Sequence, residues 1–391
     1  WFWSHNLDPV WGFVGLGIAS AVVVAALWLR PRRAVQGGLA LFAVLSLALP
    51  LGWWIQRGAS PAAEAPPPGG GGVGGSGEPE ERPNESDRRY EEQTQPSDRP
   101  KQPVAVMVLH RDVEPLGGIF YLRATAFSQF NGVRLVRSTR DDVDHGVPRR
   151  FPASDPVRVP APPGGDVRET VATDIALMVP QDRPMALADP VRLEAKRNRS
   201  PRFRRQYHVV SETLRDAPEA LLGRNPGDPT WSLDVWEHYT AMPNDPRYVE
   251  LVTRLVDRLE TRWTDDPWAI ALAIREYLEA ETTYAFDGAY GNGGTEDPTA
   301  EFLFSEGKRG YCVHLAHSAA LMLRARGIPS RVSAGYAVEA SRRGNGSAIL
   351  VRNVDAHAWA ELYLAGVGWV PLEVVPEAVD ADLTPFEEDD L

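Results

Sequence analysis

The sequence predicts an α+β protein in which a β-rich half is followed by a helical half that closes on a β-hairpin. Three observations carry this. Residues 104–213 contain successive runs with strand character, the stretch after Thr230 switches to apolar spacing of three and four, and alternation returns at 357–364. Two uncharged apolar runs at the N-terminal end add a membrane element in front.

Those runs are Val10–Leu29 and Ala34–Ile55, joined by Arg30-Pro31-Arg32-Arg33, which is too short for anything but a tight connection. Each approaches the ~20 apolar residues that cross a bilayer. Trp11, Trp28, Trp53 and Trp54 sit at their ends, where interfacial aromatics belong. Residues 1–57 are therefore expected to form a transmembrane helical hairpin, its basic turn cytoplasmic and both ends outside. A signal peptide that starts at the same arginines and is cleaved near Ala59 competes with this reading, but it leaves the first span unexplained. Residues 58–103 run through Pro66-Pro67-Pro68 and Gly69–Gly72 into a charged, Ser- and Pro-containing stretch, which reads as a disordered tether. The chain opens on Trp, as expected of a fragment of a longer multi-pass protein, and residues 377–391 form an acidic tail.

A net charge of −12 and a pI near 5.2 exclude nucleic acid as a main partner, since phosphate binding needs a basic face. One basic run, Lys196 to Arg205, stands apart. It reads either as a solvated strand edge or as a patch for anionic lipid or envelope polymer.

Residues 104–229 are expected to be a β-rich domain. Strand candidates are Val104–Leu109, Ile119–Phe130, Arg168–Leu177, Pro184–Ala188, Val191–Ala195 and Arg202–Glu212. Asn131-Gly132 before Val133–Val136 signals a type I′ hairpin. The histidines here, His110, His145 and His208, lack partners at useful sequence spacing and read as structural or exposed.

Residues 230–376 are expected to be the catalytic domain. Asp245–Trp263 and Pro267–Ala280 read as helices, the second entered through Asp266-Pro267. A polar loop, 287–298, contains Gly291-Asn292-Gly293-Gly294 and reads as a rim or lid. Gly310-Tyr311-Cys312 then leads into a helix, Val313–Arg326, stopped by Gly327 and Pro329. Cys312 is the only cysteine, so it makes no internal disulfide. At a helix N-terminus it meets a partial positive charge, the setting of reactive rather than inert cysteines.

The second half of the candidate site is Asp355-Ala356-His357-Ala358-Trp359, opening a strand with His357, Trp359, Glu361 and Tyr363 on one face. A turn near Ala365–Gly368 returns the chain as Trp369–Val375, and a hairpin centred on Ala365 sets Glu373 beside His357. Cys312, His357 and Glu373 then supply nucleophile, base and orienting acid. Asp355, two residues before His357, is the alternative acid. Trp359 is expected to pack against the His–acid pair, and Tyr311 to support Cys312. His314 and His317 lie three apart on one helix with no third ligand and read as structural, so neither metal nor cofactor is expected.

Lys308–Cys312 with His314-Leu315-Ala316, Leu323-Arg324, Gly327-Ile328-Pro329-Ser330-Arg331 and Gly335-Tyr336 resembles the transglutaminase-like superfamily. So do His357-Ala358-Trp359 and Gly368-Trp369-Val370-Pro371. The whole layout, with Tyr121-Leu122-Arg123 in the β region, is similar to the bacterial, membrane-anchored, multi-spanning branch. The resemblance implies a papain-like fold, a helix-borne Cys against an antiparallel sheet, and an acyl-enzyme mechanism. Cys312 would attack an amide carbonyl such as a glutamine side chain. His357 would serve the leaving and incoming groups, and the Cys312 N–H with a second donor from Tyr284–Asn292 would hold the oxyanion. The usual acid of this family is Asp, where this chain has Glu373; a carboxylate one methylene longer can still accept the imidazole N–H. No calcium-loop signature accompanies the motif. The expected function is acyl transfer to an amine or to water, with a protein or peptide of the bacterial cell envelope as substrate. The alternatives are an envelope cysteine peptidase or amidase, or a non-catalytic membrane-tethered binding protein that retains the fold.

Overall fold

A computed structural model describes residues 101–215, 217–286 and 297–375. The membrane hairpin, the tether, most of the Gly-rich loop and the acidic tail expected from the sequence lie outside these residues. Among the described residues, no helix is long and apolar enough to cross a membrane.

The first part supplies nine strands: β1 (Pro103–Leu109), β2 (Ile119–Phe127), β3 (Gln129–Phe130), β4 (Leu135–Val136), β5 (Val157–Arg158), β6 (Arg168–Leu177), β7 (Ala186–Leu187), β8 (Pro190–Ala195) and β9 (Arg205–Leu214). Helices α1 (Leu233–Thr240), α2 (Pro246–Val256) and α3 (Pro267–Glu281) follow. Next come β10 (Thr283–Tyr284), α4 (Pro298–Leu303), β11 (Arg309–Gly310) and α5 (Cys312–Ala325). The described chain closes with β12 (Ser330–Glu339), β13 (Ala348–Arg352), β14 (Ala356–Leu364) and β15 (Gly368–Leu372).

One local device starts three of the five helices. Asp245-Pro246, Asp266-Pro267 and Asp297-Pro298 each put a carboxylate on an otherwise orphaned N–H (of Arg247, Ala269 and Ala300) and a proline where no N–H is missed. α2 stops at Val256, and a separate 3-10 turn at Thr261–Trp263 carries the rest of the helix expected to Trp263. The turn after Phe130 also differs from expectation. The ladder pairs Phe130 with Leu135, leaving four residues in the loop, and Asn131 Oδ1 accepts from the N–H groups of Val133 and Arg134. Asn131 keeps a negative φ, which a type I′ turn does not allow. The strand read as Ile119–Phe130 breaks at Ser128, whose hydroxyl and carbonyl are drawn to His238 and Arg324.

The strands form a six-stranded sheet in the order β13-β1-β6-β9-β8-β5 and a five-stranded sheet in the order β15-β14-β12-β2-β7. The boundary expected at 229/230 therefore does not divide the sheets. β2, from the β-rich half, pairs antiparallel with β12, and β13, from the catalytic half, pairs with β1. Such long-range pairings leave no local mark in sequence.

α5 is buried on nearly every face from Cys312 to Arg324, as a helix that is apolar all round must be. It packs on β12 and β14 and against α2, α3 and α4. Val332, Ala334, Ala358, Ala360, Leu362 and Leu364 form the sheet side of this core. A second core joins residues of both sheets, among them Leu122, Tyr336 and Val338 with Met107, Ile175 and Tyr207. A cysteine at the start of a buried helix thus faces an antiparallel sheet that carries a histidine, which is the papain-like arrangement.

Candidate active site

The site is assembled at the N-terminus of α5. Gly310, two residues before Cys312, is required by space, since a Cβ there would meet the His314 and Phe302 rings at 2.7 and 2.8 Å. Tyr311 is fully buried, and its N–H donates to His314 Nδ1 at 3.4 Å. Cys312 itself is 1% exposed.

His357 lies near the start of β14, opposite Gly335 of β12. A side chain at 335 would drive a Cβ to 1.9 Å from the Leu122 carbonyl oxygen, at a point where the β12–β2 register shifts. Glycine is what lets the sheet close behind the histidine. His357 Nε2 hydrogen-bonds Glu373 Oε2 at 2.9 Å, and the ring interacts electrostatically with the Cys312 side chain. With Nε2 on Glu373, Nδ1 is the nitrogen that addresses the thiol.

The expected hairpin needs one correction. β14 and β15 pair Leu364 with Gly368 and Ala360 with Leu372, so the register centres on Gly366 rather than Ala365. Glu373 is consequently one step beyond the last pair, at the level of Trp359, and reaches His357 along the diagonal. Its carboxylate is well satisfied: Oε2 also accepts from the Tyr121 hydroxyl at 2.8 Å, and Oε1 accepts from the N–H groups of Val374 and Val375. Burial works against the carboxylate charge, but the His357 charge and these hydrogen bonds outweigh it and lower the Glu373 pKa. Burial likewise opposes the imidazolium, yet the Glu373 charge, the Cys312 side chain and the hydrogen bond to Glu373 raise the His357 pKa well above its ordinary value. Trp359 is fully buried, its ring nearly parallel to the imidazole with centroids 6.3 Å apart, and Tyr121 tilts against Trp359 at 4.8 Å.

Tyr284 joins the site through the short parallel pair β10–β11, which aligns it with Gly310. Its hydroxyl interacts with both the main-chain N–H and the thiol of Cys312. Burial, then the Cys312 charge, raise its pKa, so the phenol keeps its proton. The sequence pointed to the Tyr284–Asn292 region, and Tyr284 is the described residue of it that the parallel pairing aligns with Gly310.

The model of the transglutaminase-like superfamily matches residues 253–374, which span Cys312, His357 and Glu373. These residues form a transglutaminase-like domain. Over 92 residues the chain is 40% identical to the protein-glutamine gamma-glutamyltransferase of Pseudomonas aeruginosa, covering 22% of this chain and 13% of that protein. Over 148 residues it is 33% identical to the uncharacterized protein YebA of Bacillus subtilis, covering 35% of this chain and 19% of that one. The matches thus span less than a fifth of either relative's length. Among solved structures, the periplasmic domain of TgpA from Pseudomonas aeruginosa aligns over 73% of this chain and 90% of its own, with a TM-score of 0.47 and 21% identity.

The transglutaminase-like domain gives Asp355 different work from that of an alternative acid. Residues 353–355 form a 3-10 turn rather than strand, which removes Asp355 from the face of His357. Arg342 grips its two oxygens at 2.5 and 3.2 Å, and the Arg352 N–H donates to Oδ2. His314 and His317 are buried in α5, and desolvation pushes both pKa values down to about 4, so they are neutral. His317 Nδ1 lies 2.9 Å from the Val313 carbonyl, a helix-internal bond.

Behind the site lies a charge network that periodicity alone does not reveal. Trp359 Nε1 donates to Glu361, whose carboxylate is held by Arg123 and Arg331. Arg331 continues to Asp144, and Arg123 to Asp189, which Arg168 also holds. Three arginines meet three carboxylates, all at most 9% exposed. This balance is what makes burial of the charges tolerable. The motif residues Arg123 and Arg331 thus brace the strand that carries His357 and Trp359.

Proposed function

We propose that this chain is a membrane-anchored transglutaminase-like cysteine enzyme that works through a Cys312 acyl-enzyme. The observation that carries the reading is His357, hydrogen-bonded to Glu373 and electrostatically coupled to Cys312. His357 already holds the proton of the Cys312 thiol, and the Cys312 sulfur attacks the carbonyl carbon of an amide such as a glutamine side chain. His357 hands that proton to the leaving amine as the C–N bond breaks, leaving a thioester. A primary amine or water then attacks the thioester, His357 takes its proton, and the sulfur departs with the His357–Cys312 pair restored. Glu373 fixes the imidazole and stabilises its charged form.

The tetrahedral oxyanion is held by the Cys312 N–H and the Tyr284 hydroxyl. Without substrate the phenol oxygen takes the Cys312 N–H. Once the carbonyl oxygen claims that N–H, the protonated phenol beside it becomes the second donor. An amine acceptor is favoured by the likeness to a protein-glutamine gamma-glutamyltransferase. The two apolar runs before Arg57 and their basic turn favour a membrane hairpin with the enzyme outside the cytoplasm, acting on envelope proteins or peptides.

The test offers the protein a glutamine-containing protein as acyl donor and a labelled primary amine. Label incorporation that Cys312→Ala abolishes is expected. Release of ammonia without label would reassign the enzyme as an amidase, and cleavage of the donor protein as a peptidase. Formation of none of these products would leave the non-catalytic binding reading standing.

A further inference from the structure

Two histidines of the β-rich half, His110 and His208, which sequence spacing left without partners, meet in the fold. His208 on β9 lies directly opposite Asp174 on β6. His110, just past the end of β1, continues along β6 by donating its N–H to the Ala172 carbonyl, which puts it diagonal to Asp174. His208 Nδ1 is 2.8 Å from Asp174 Oδ1, His110 Nε2 is 3.1 Å from Asp174 Oδ2, and the two rings lie 5.1 Å apart. One nitrogen from each ring and a carboxylate oxygen all fall within 4.8 Å of one another.

We propose that His110, His208 and Asp174 form a binding site for a first-row divalent transition-metal ion of the zinc type. Two imidazoles and a carboxylate are the donor set of zinc; magnesium and calcium take oxygen instead. Ligand atoms ~2.0–2.2 Å from a common tetrahedral ion stand roughly 3.3–3.6 Å apart, and the His–Asp distances of 2.8 and 3.1 Å lie within about 0.8 Å of that. The two imidazole nitrogens need close by at most about 1.5 Å to share the ion. The side chains are 43%, 24% and 26% exposed, so the rings have room to turn.

Strands β6 and β9 fix Asp174 and His208, and the His110 N–H bond to the Ala172 carbonyl ties the residue after β1 to the same sheet. Three protein ligands leave a coordination position open to solvent. Lys196, which follows β8, places its ammonium 2.5 Å from Asp174 Oδ2. It is the cation an incoming ion must displace, and its long, 44% exposed side chain can swing into water.

The test uses the full chain carrying Cys312→Ala, so that no thiol competes for metal, and titrates Zn²⁺ alone against a chromophoric chelator. One equivalent is expected to bind and to raise the thermal midpoint, because a ligand of the native state stabilises it. His110→Gln and His208→Gln, which keep side-chain size, should each weaken binding by more than the roughly 10–100-fold cost of losing an outer-shell partner. Both should also abolish the thermal shift. Lys196→Met should tighten binding. No stoichiometric Zn²⁺ in the parent, or the same affinity in either glutamine variant, would overturn the site; weaker binding by Lys196→Met would overturn the displacement.

Discussion

His357 and Glu373 meet at 2.9 Å although they are not cross-strand partners: the β14–β15 register sets Glu373 level with Trp359. A carboxylate on a diagonal must span more distance than one directly opposite, and glutamate has the extra methylene. The identity of the acid and the register of the hairpin are therefore linked. Glu373→Asp is expected to lose activity nearly as fully as Glu373→Gln, by roughly 10²–10⁴-fold in kcat/KM. Asp355→Asn should instead lose mainly stability, because it leaves Arg342 without its buried carboxylate partner. Amine-incorporation kinetics and thermal melts on the three variants separate these outcomes. An active Glu373→Asp would sink the diagonal-reach account.

The pair also sets a pH signature. The folded His357 pKa is raised, so its stabilising contribution is full below the unfolded value near 6.5 and is lost as pH climbs through the folded value. Glu373 is lowered, so its contribution is present above about 4.5 and is lost as pH falls through the folded value. The stability difference between the parent and Glu373→Gln should be widest between those limits and shrink on either side. Urea titrations across pH measure it; a difference independent of pH would contradict the ion pair.

Because His357 stays protonated at neutral pH beside the thiol, Cys312 should alkylate faster than a small free thiol at about pH 6–7. The advantage should fall in Glu373→Gln. Iodoacetamide kinetics on the two proteins decide this, and an ordinary rate in the parent would remove the imidazolium from the account.

Tyr284→Phe keeps the ring and its contact with Phe286 and removes only the hydroxyl. As an oxyanion donor its loss should lower kcat by about 10²–10³-fold with little change in KM. A faster enzyme would instead make the phenol a block on the Cys312 N–H.

Glu361→Gln removes one charge from between Arg123 and Arg331, where the carboxylate is 1% exposed and its pKa is lowered to about 2 by the two guanidinium groups against the cost of burial. Breaking a buried pair in this way costs about 3–5 kcal/mol. Chemical denaturation reads the loss directly, and a cost below about 1 kcal/mol would show that the network does not brace β14.

What the sequence determined by itself was chemistry that is local along the chain. Gly310-Tyr311-Cys312 before an apolar helix, the Asp266-Pro267 helix start, and the alternation from His357 to Tyr363 all depend on neighbours within a few residues. So the candidate nucleophile Cys312, the candidate base His357 and the strand that bears it were legible. The tertiary structure decided whatever depends on register and on distant pairing. It moved the hairpin centre by one residue and put Asp355 into a 3-10 turn held by Arg342. It brought Tyr284 to Cys312 through a two-residue parallel ladder and gathered Asp174 and His208 from two strands with His110 from just past the end of a third. A one-residue change of register re-aims a side chain by several ångströms, and residues far apart in sequence become neighbours only when strands pair, so no spacing rule along the chain could have found them.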